Sequence, residues 1–335
     1  MNIRRLLVIG CLLLICGSAV QAETLRFAVL GDSRGEQKPI NESILAELVH
    51  NVLQVDPPPQ FVVFVGDLVL GTSNDDELRR EFAQWRQIIE PWYQSQMYGI
   101  KVYIVPGNHD LQNKSTYATL WQECFPELLD NGPDGEKKLT YSFDVGPCHL
   151  VVVNTSSPVT PHTVNVDWLE QDLAASTAPV KLVFGHEPAY PAIGHISSSL
   201  DHNPEARDRF WQTLVTHGVQ AYFCGHEHLY DRWVQDNVNQ IITGGAGAPG
   251  IFYHFLILDV NDQDVTVTVH KAAGEVYTQY KLSDTEGVAE ENRSDPERSM
   301  FNMLLPCGGV FACLFLIGTW ACGGLSRFRG SQTDE

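Results

Sequence analysis

Apolar residues in this chain fall into short runs separated by polar punctuation. "LRFAVL" (25–30), "QFVVFV" (60–65), "KVYIV" (101–105), "CHLVVVN" (148–154), "VKLVF" (180–184), "QAYFC" (220–224) and "NQIIT" (239–243) are rich in β-branched and aromatic residues and read as strands. Their near-continuous apolarity implies burial on both faces. Between them the period changes. In "ESILAELVHNVLQ" (42–54), Ile44, Leu45, Leu48, Val49 and Val52 share one helical face, and "VDWLEQDLAAS" (166–176) and "EARDRFWQTLVTHG" (205–218) repeat the pattern. "FYHFLILDV" (252–260), "DVTVTVH" (264–270) and "VYTQYKL" (276–282) follow as an antiparallel meander. Strands alternating with helices, then strands alone, imply an α/β body of two packed sheets flanked by helices. Ligands of such folds gather beyond the carboxyl ends of the strands.

Those ends carry the chemistry. The runs close on Gly31-Asp32, Gly66-Asp67, Gly107-Asn108-His109-Asp110, Gly185-His186 and Gly225-His226-Glu227-His228. Taken singly, Gly-Asp after a strand is an ordinary turn. Five in one chain are a different matter: two carboxylates, an amide oxygen and three imidazoles suit divalent first-row metals held by mixed oxygen and nitrogen ligands. A glycine at each sharp turn is expected to supply unusual dihedrals. His226 and His228 would face opposite ways in a strand, whereas a tight loop lets them reach neighbouring ions.

The ordered set GD…GD…GNHD…GH…GHEH resembles the calcineurin-like metallophosphoesterase superfamily from Asp32 to about Gly245, and "HEHLYDR" and "HEPAY" are most similar to its purple acid phosphatase branch. The resemblance implies a four-layer αββα sandwich of two mixed sheets. It implies one or two divalent ions (Mn, Fe or Zn), a phosphate ester substrate, and hydrolysis of mono- or diesters by metal-activated hydroxide. Carried over by position, Asp32, Asp67 and His228 would hold a first ion. Asp67, Asn108, His186 and His226 would hold a second, with Asp67 bridging and His109 assisting the leaving group. Asp110 would either orient His109 or cap a turn.

Two positions depart from the family pattern. Arg34 stands where much of the superfamily has a histidine ligand, and Leu70 stands where the purple branch has a tyrosine. A cation beside a cation is costly, so Arg34 is expected to turn away from the metals. It would then either grip substrate phosphate with its planar fork or pair with a nearby carboxylate and shape the loop. Hence a second reading from another class: a binding or scaffold protein that keeps the fold with weakened catalysis. Tyr190, His195 and His202 follow His186 in a loop rich in Pro, Gly and Ser. They either line a substrate mouth or are solvated loop residues.

Composition and the two ends set the context. The chain has 335 residues and a formal charge of −19, a poor match for nucleic-acid backbones. Residues 1–22 pair Arg4 and Arg5 with an apolar run and a small-residue cleavage pattern, as in a secretory leader. Residues 303–325 carry no charge, are long enough to span a bilayer, and precede Arg327 and Arg329. The expected order is leader (1–22), catalytic body (23–283), acidic linker (284–302), transmembrane helix (303–325) and short cytoplasmic tail (326–335), with the body exported. Tail trimming after export is the alternative fate of the last helix. Of the body's cysteines, Cys124 and Cys148 are expected to form a disulfide and Cys224 to be a core residue. Asn41, Asn113, Asn154 and Asn292 match the glycosylation pattern.

Overall fold

Every apolar run named above becomes a strand. The computed structural model describes residues 24–95, 99–112, 116–285 and Val288. In chain order the elements are β1 (Leu25–Leu30), α1 (Glu42–Gln54), β2 (Phe61–Phe64), α2 (Asp75–Gln94), β3 (Lys101–Ile104), α3 (Tyr117–Cys124), β4 (Tyr141–Val145), β5 (Cys148–Val152), α4 (Val166–Ala175), β6 (Val180–Phe184), a 3-10 turn (Leu200–His202), α5 (Pro204–Thr216), β7 (Ala221–Cys224), β8 (Tyr230–Gln235), β9 (Val238–Thr243), β10 (His254–Asn261), β11 (Asp264–Lys271) and β12 (Val276–Lys281).

The strands form two mixed sheets of six. The first has the order β12-β11-β10-β1-β2-β3, with β1, β2 and β3 parallel and the closing meander antiparallel. The second has the order β4-β5-β6-β7-β9-β8, parallel from β5 to β9 with antiparallel edges. Strand alternation assigns the faces of the second sheet. Leu150, Val152, Leu182, Phe184, Ala221 and Phe223 share a core with the first sheet and with α1, α2 and α3. Val151, Val153, Val183, Tyr222 and Cys224 form a second core with Leu169 and Leu173 of α4 and Phe210, Trp211 and Leu214 of α5. The second sheet is thus buried on both faces, consistent with the expected order of helix, sheet, sheet and helix.

Helix α2 is the largest element that strand-and-helix patterning passed over. Asn74 caps it by accepting from the Glu77 amide at 3.0 Å, and Leu78, Phe82, Trp85, Ile89 and Trp92 form its buried stripe. Trp85, Trp92, Trp121 and Trp211 are packing aromatics, as their setting in the sequence suggested. The disulfide is a correction. Cys124 and Cys148 are free thiols. Cys148 is enclosed in β5, whereas Cys124 sits in the last turn of α3, and burial raises both thiols above their usual range. Among the sequons, Asn154 is buried and the Asn41 amide is spent on the Gly247 carbonyl. Asn113 and Asn292 lie outside the described residues, as do the leader, nearly all of the acidic linker, and residues 303–325. Among the described residues no helix is long and apolar enough to cross a membrane.

Candidate metal centre

Three adjacent parallel strands of the first sheet deliver Asp32, Asp67 and Asn108 from their carboxyl ends, and two adjacent strands of the second deliver His186 and His226. Backbone bonds lash the loops together. Asp32 N–H donates to the Gly66 carbonyl at 2.9 Å and Arg34 N–H to the Asp67 carbonyl at 3.3 Å. From α2, the Trp85 indole N–H reaches Ser33 Oγ, whose hydroxyl donates to the Leu68 carbonyl.

Asp32, Asp67 and His226 sit at φ of 63°, 51° and 67°, a region that non-glycine residues rarely adopt and that clusters at functional sites. The glycines therefore act differently from the sequence expectation. Of the five that precede the site residues, only Gly66 has positive φ. The unusual dihedrals fall mainly on the candidate ligands, while the glycines clear space. A Cβ on Gly107 would lie 2.3 Å from Asp67 Oδ1, and one on Gly225 would lie 2.1 Å from Asp32 Oδ2.

Ring orientation follows from hydrogen bonding. His186 Nδ1 faces the Val65 carbonyl at 2.8 Å, His226 Nε2 the Ser198 carbonyl at 3.2 Å, and His228 Nδ1 the Pro249 carbonyl at 3.2 Å. A carbonyl only accepts, so each of these nitrogens carries the proton and the opposite one bears a lone pair. Those lone pairs point inward. His186 Nε2 lies 3.1 Å from Asn108 Oδ1 and 3.2 Å from Asp67 Oδ1; His226 Nδ1 lies 3.0 Å from the same Asn108 oxygen. Four acceptor atoms face one another with no proton between them, which is unfavourable unless a cation sits among them. Two ligands about 2.1 Å from one ion lie about 3.0 Å apart at a right angle and about 3.4 Å apart at the tetrahedral angle, so the observed spacings fit a first-row divalent ion. Asp32, Asp67 and His186 likewise bring ligand atoms within 4.8 Å of one another.

The two carboxylates titrate apart. Burial, with Asp67 nearby, holds the Asp32 carboxyl well above its usual range. Burial also works against Asp67, but His186, His109, His226 and Arg34 outweigh it and keep that carboxyl low. His226 is held well below the ordinary imidazole range by burial and by His186 and His195; burial and then Arg34 push His228 down to about 4. Neutral imidazoles are the form that binds metal.

Arg34 does not turn away. Its Nη2 lies 3.2 Å from His228 Nε2 and its Nε 3.5 Å from Asp67 Oδ2, while His228 Nε2 is 3.7 Å from Asp32 Oδ1. The guanidinium thus lies against two of the three residues assigned to the first ion. Its charge helps keep the Asp67 carboxyl low and opposes the burial that raises Asp32. Asp110 does not touch the His109 ring. Its oxygens accept from the amides of Leu68, Val69 and Gly107, tying the second and third loops together. His109 Nδ1 is instead held by the Leu70 carbonyl at 2.6 Å, which leaves Nε2 for proton exchange, and its backbone N–H donates to Asp67 Oδ1 at 3.1 Å.

Of Tyr190, His195 and His202, His195 joins the site, its ring tilted against that of His226 with centroids 4.0 Å apart. Tyr190 packs against Trp211 and Trp233, and His202 lies beside His162. Sequence reasoning passed over Glu227. Its buried carboxylate accepts from the amides of Ala192, Ile193, Gly194 and His195 and so clamps the loop that carries His195 and the Ser198 carbonyl. The one available signal was an acid enclosed between two candidate ligand histidines at a buried strand end.

The profile of the calcineurin-like phosphoesterase family matches residues 25–230. The chain belongs to that family. It is 25% identical over 236 residues to purple acid phosphatase 15 of Arabidopsis thaliana, an alignment covering 62% of this chain and 40% of the relative. To the mouse serine/threonine-protein phosphatase CPPED1 it is 24% identical over 274 residues, covering 78% of this chain and 80% of the relative. The purple acid phosphatase PPD1 of yellow lupin shares the fold at a TM-score of 0.60 and 18% identity, covering 78% of this chain and 54% of the lupin chain. The chain therefore spans well under two thirds of the purple acid phosphatases it resembles. The comparisons agree with the family resemblance carried by the strand-end motifs.

Proposed function

We propose that this family member is a metal-dependent phosphoester hydrolase acting on phosphate mono- or diesters. The observation that carries the reading is the facing of lone pairs from Asp67, Asn108, His186 and His226. A divalent ion held by these four residues would supply Lewis-acid chemistry at the phosphoryl group. The protein's own residues do the rest. Asp67 stays ionised and offers one oxygen to each side of the site. Burial of the imidazole rings and their fixed tautomers keep the ligand atoms preorganised. His109, steered by the Leu70 carbonyl, presents Nε2 as the group that protonates the departing oxygen. Asp110 is a positioning residue that fixes the loops bearing Asp67 and Asn108. We further propose, from the leader pattern of residues 1–22 and the uncharged run 303–325, that the body is exported and tethered through its C-terminal segment.

Purified full-length chain, assayed with a chromogenic phosphate monoester and a chromogenic diester, tests the reading. Turnover of at least one that is abolished by chelation and restored by Mn²⁺ or Zn²⁺ is the expected result; turnover that survives chelation contradicts it. Arg34 inside the site favours a second reading, a scaffold with weakened catalysis. That reading predicts bound metal with no turnover of either ester.

A further inference from the structure

The two halves of the site are not equivalent. On the side of Asn108, His186 and His226, acceptor atoms face acceptor atoms at 3.0–3.2 Å. On the side of Asp32 and His228, His228 Nε2 already faces the Arg34 guanidinium, and Asp32 accepts from the His226 amide at 3.0 Å. The His228 ring must donate through Nδ1 to the Pro249 carbonyl, so its Nε2 lone pair is directed at Arg34 Nη2. Asp67 divides itself in the same way, with Oδ1 toward His186 and Oδ2 toward Arg34 Nε. Resting on the hydrolase reading above, we propose that the Arg34 guanidinium stands in place of one ion of a dimetal centre. The chain then holds a single divalent ion at Asp67, Asn108, His186 and His226, with Arg34 as a permanent cation on the other side of Asp67.

Three physical features support this. The ligands left for a first ion number three, and one of them, His228, spends its inward nitrogen on Arg34. A guanidinium stays charged at any physiological pH and presents a rigid planar fork, so protonation changes do not vacate the position as they would for a lysine. Its stem is held too: the Arg34 amide donates to the Asp67 carbonyl, and the guanidinium also reaches the Gly35 carbonyl at 3.4 Å. The residue sits mostly inside the site, its side chain 16% exposed. Of the two roles that the sequence left open for Arg34, pairing with a nearby carboxylate is the one this geometry supports, through Asp67 Oδ2 at 3.5 Å.

Metal content separates this from an ordinary dimetal site without reference to turnover. Full-length protein equilibrated with Zn²⁺ or Mn²⁺, desalted and analysed by plasma mass spectrometry should carry about one ion per chain. His228→Ala should stay at about one, because that ring answers to Arg34 rather than to metal, whereas Asn108→Ala should lose the ion. Arg34→His should move towards two ions, and the double variant Arg34→His/His228→Ala should return to one. Two ions in the wild type, or loss of metal from His228→Ala, would overturn the inference while leaving the hydrolase reading intact. Arg34→His remaining at one ion would show that the guanidinium is not what excludes the second and would also overturn it. No ion in the wild type would overturn both readings. If Arg34→His fails to fold by circular dichroism, the wild type and His228→Ala still decide the question.

Discussion

Replacing Glu227 should loosen the site without touching a ligand. The carboxylate is 2% exposed and accepts four backbone N–H groups in succession, from Ala192 at 2.6 Å to His195 at 3.2 Å. In Glu227→Ala the amides of Ile193 and Gly194, on exposed residues, find water. Those of Ala192 and His195 are half-buried and lose the Glu227 carboxylate. Bonds to a charged acceptor contribute about 1.5–3 kcal/mol each, so two of them give about 3 kcal/mol after partial relaxation of the loop. For a body of this size each kcal/mol shifts Tm by about 2–4 °C, and a fall of about 6–12 °C follows. The loop also holds the Ser198 carbonyl, which fixes the His226 tautomer, and His195, whose ring packs against that of His226. Turnover should therefore fall about tenfold or more, with faster proteolysis between residues 192 and 199. Differential scanning fluorimetry, steady-state kinetics and limited proteolysis read these effects. An unchanged Tm together with unchanged kcat in Glu227→Ala would refute the idea that this carboxylate holds the loop.

Further outcomes follow from the same geometry. His195→Ala should lower kcat/KM by about tenfold, equivalent to about 1.4 kcal/mol, while metal content stays at the wild-type level; loss of metal would make His195 a ligand instead. Gly107→Ala places a Cβ 2.3 Å from both the amide nitrogen and Oδ1 of Asp67, and overpacking of this kind costs about 1–3 kcal/mol. The variant should lose metal and melt earlier, and metal binding at wild-type affinity would contradict the packing argument. His149 lies between Asp172 and Asp144, each bonded to a ring nitrogen; burial pulls it down, but the two carboxylates raise it above its ordinary 6.5. Its contribution to stability is full below that ordinary value and is lost as pH rises through the higher folded value. The Tm gap between wild type and His149→Gln should be widest near pH 6 and narrow towards pH 9; a gap that widens with pH would reverse the assignment.

The cluster of candidate ligands was legible because each member follows a buried strand, and strand ends are where an α/β body collects its chemistry. Patterning named ten strands correctly for the same reason, since β-branched runs of four to eight residues have few other uses. It passed over β4 and β8, which lie at the edges of the second sheet and carry Asp144, Asp231 and Arg232 among their apolar positions. Helix α2 was hidden by its charged opening and by Pro91 near its end, although Leu78, Phe82, Trp85, Ile89 and Trp92 keep a helical period. Through-space facts were not legible. The direction of Arg34 depends on His228, 194 positions away, and on a charge balance that exists only once the sheets have packed. The disulfide expectation rested on counting cysteines, and counting does not see that Cys148 faces a core rather than a partner.

The central claim is that Asp67, Asn108, His186 and His226 form one cage for a divalent ion. A crystal soaked in Zn²⁺ or Mn²⁺ and measured at the metal's absorption edge tests it most directly. The account predicts an anomalous peak about 2.0–2.2 Å from Asp67 Oδ1, Asn108 Oδ1, His186 Nε2 and His226 Nδ1. Anomalous density that avoids these four atoms, or none at all in a saturated crystal, would contradict it.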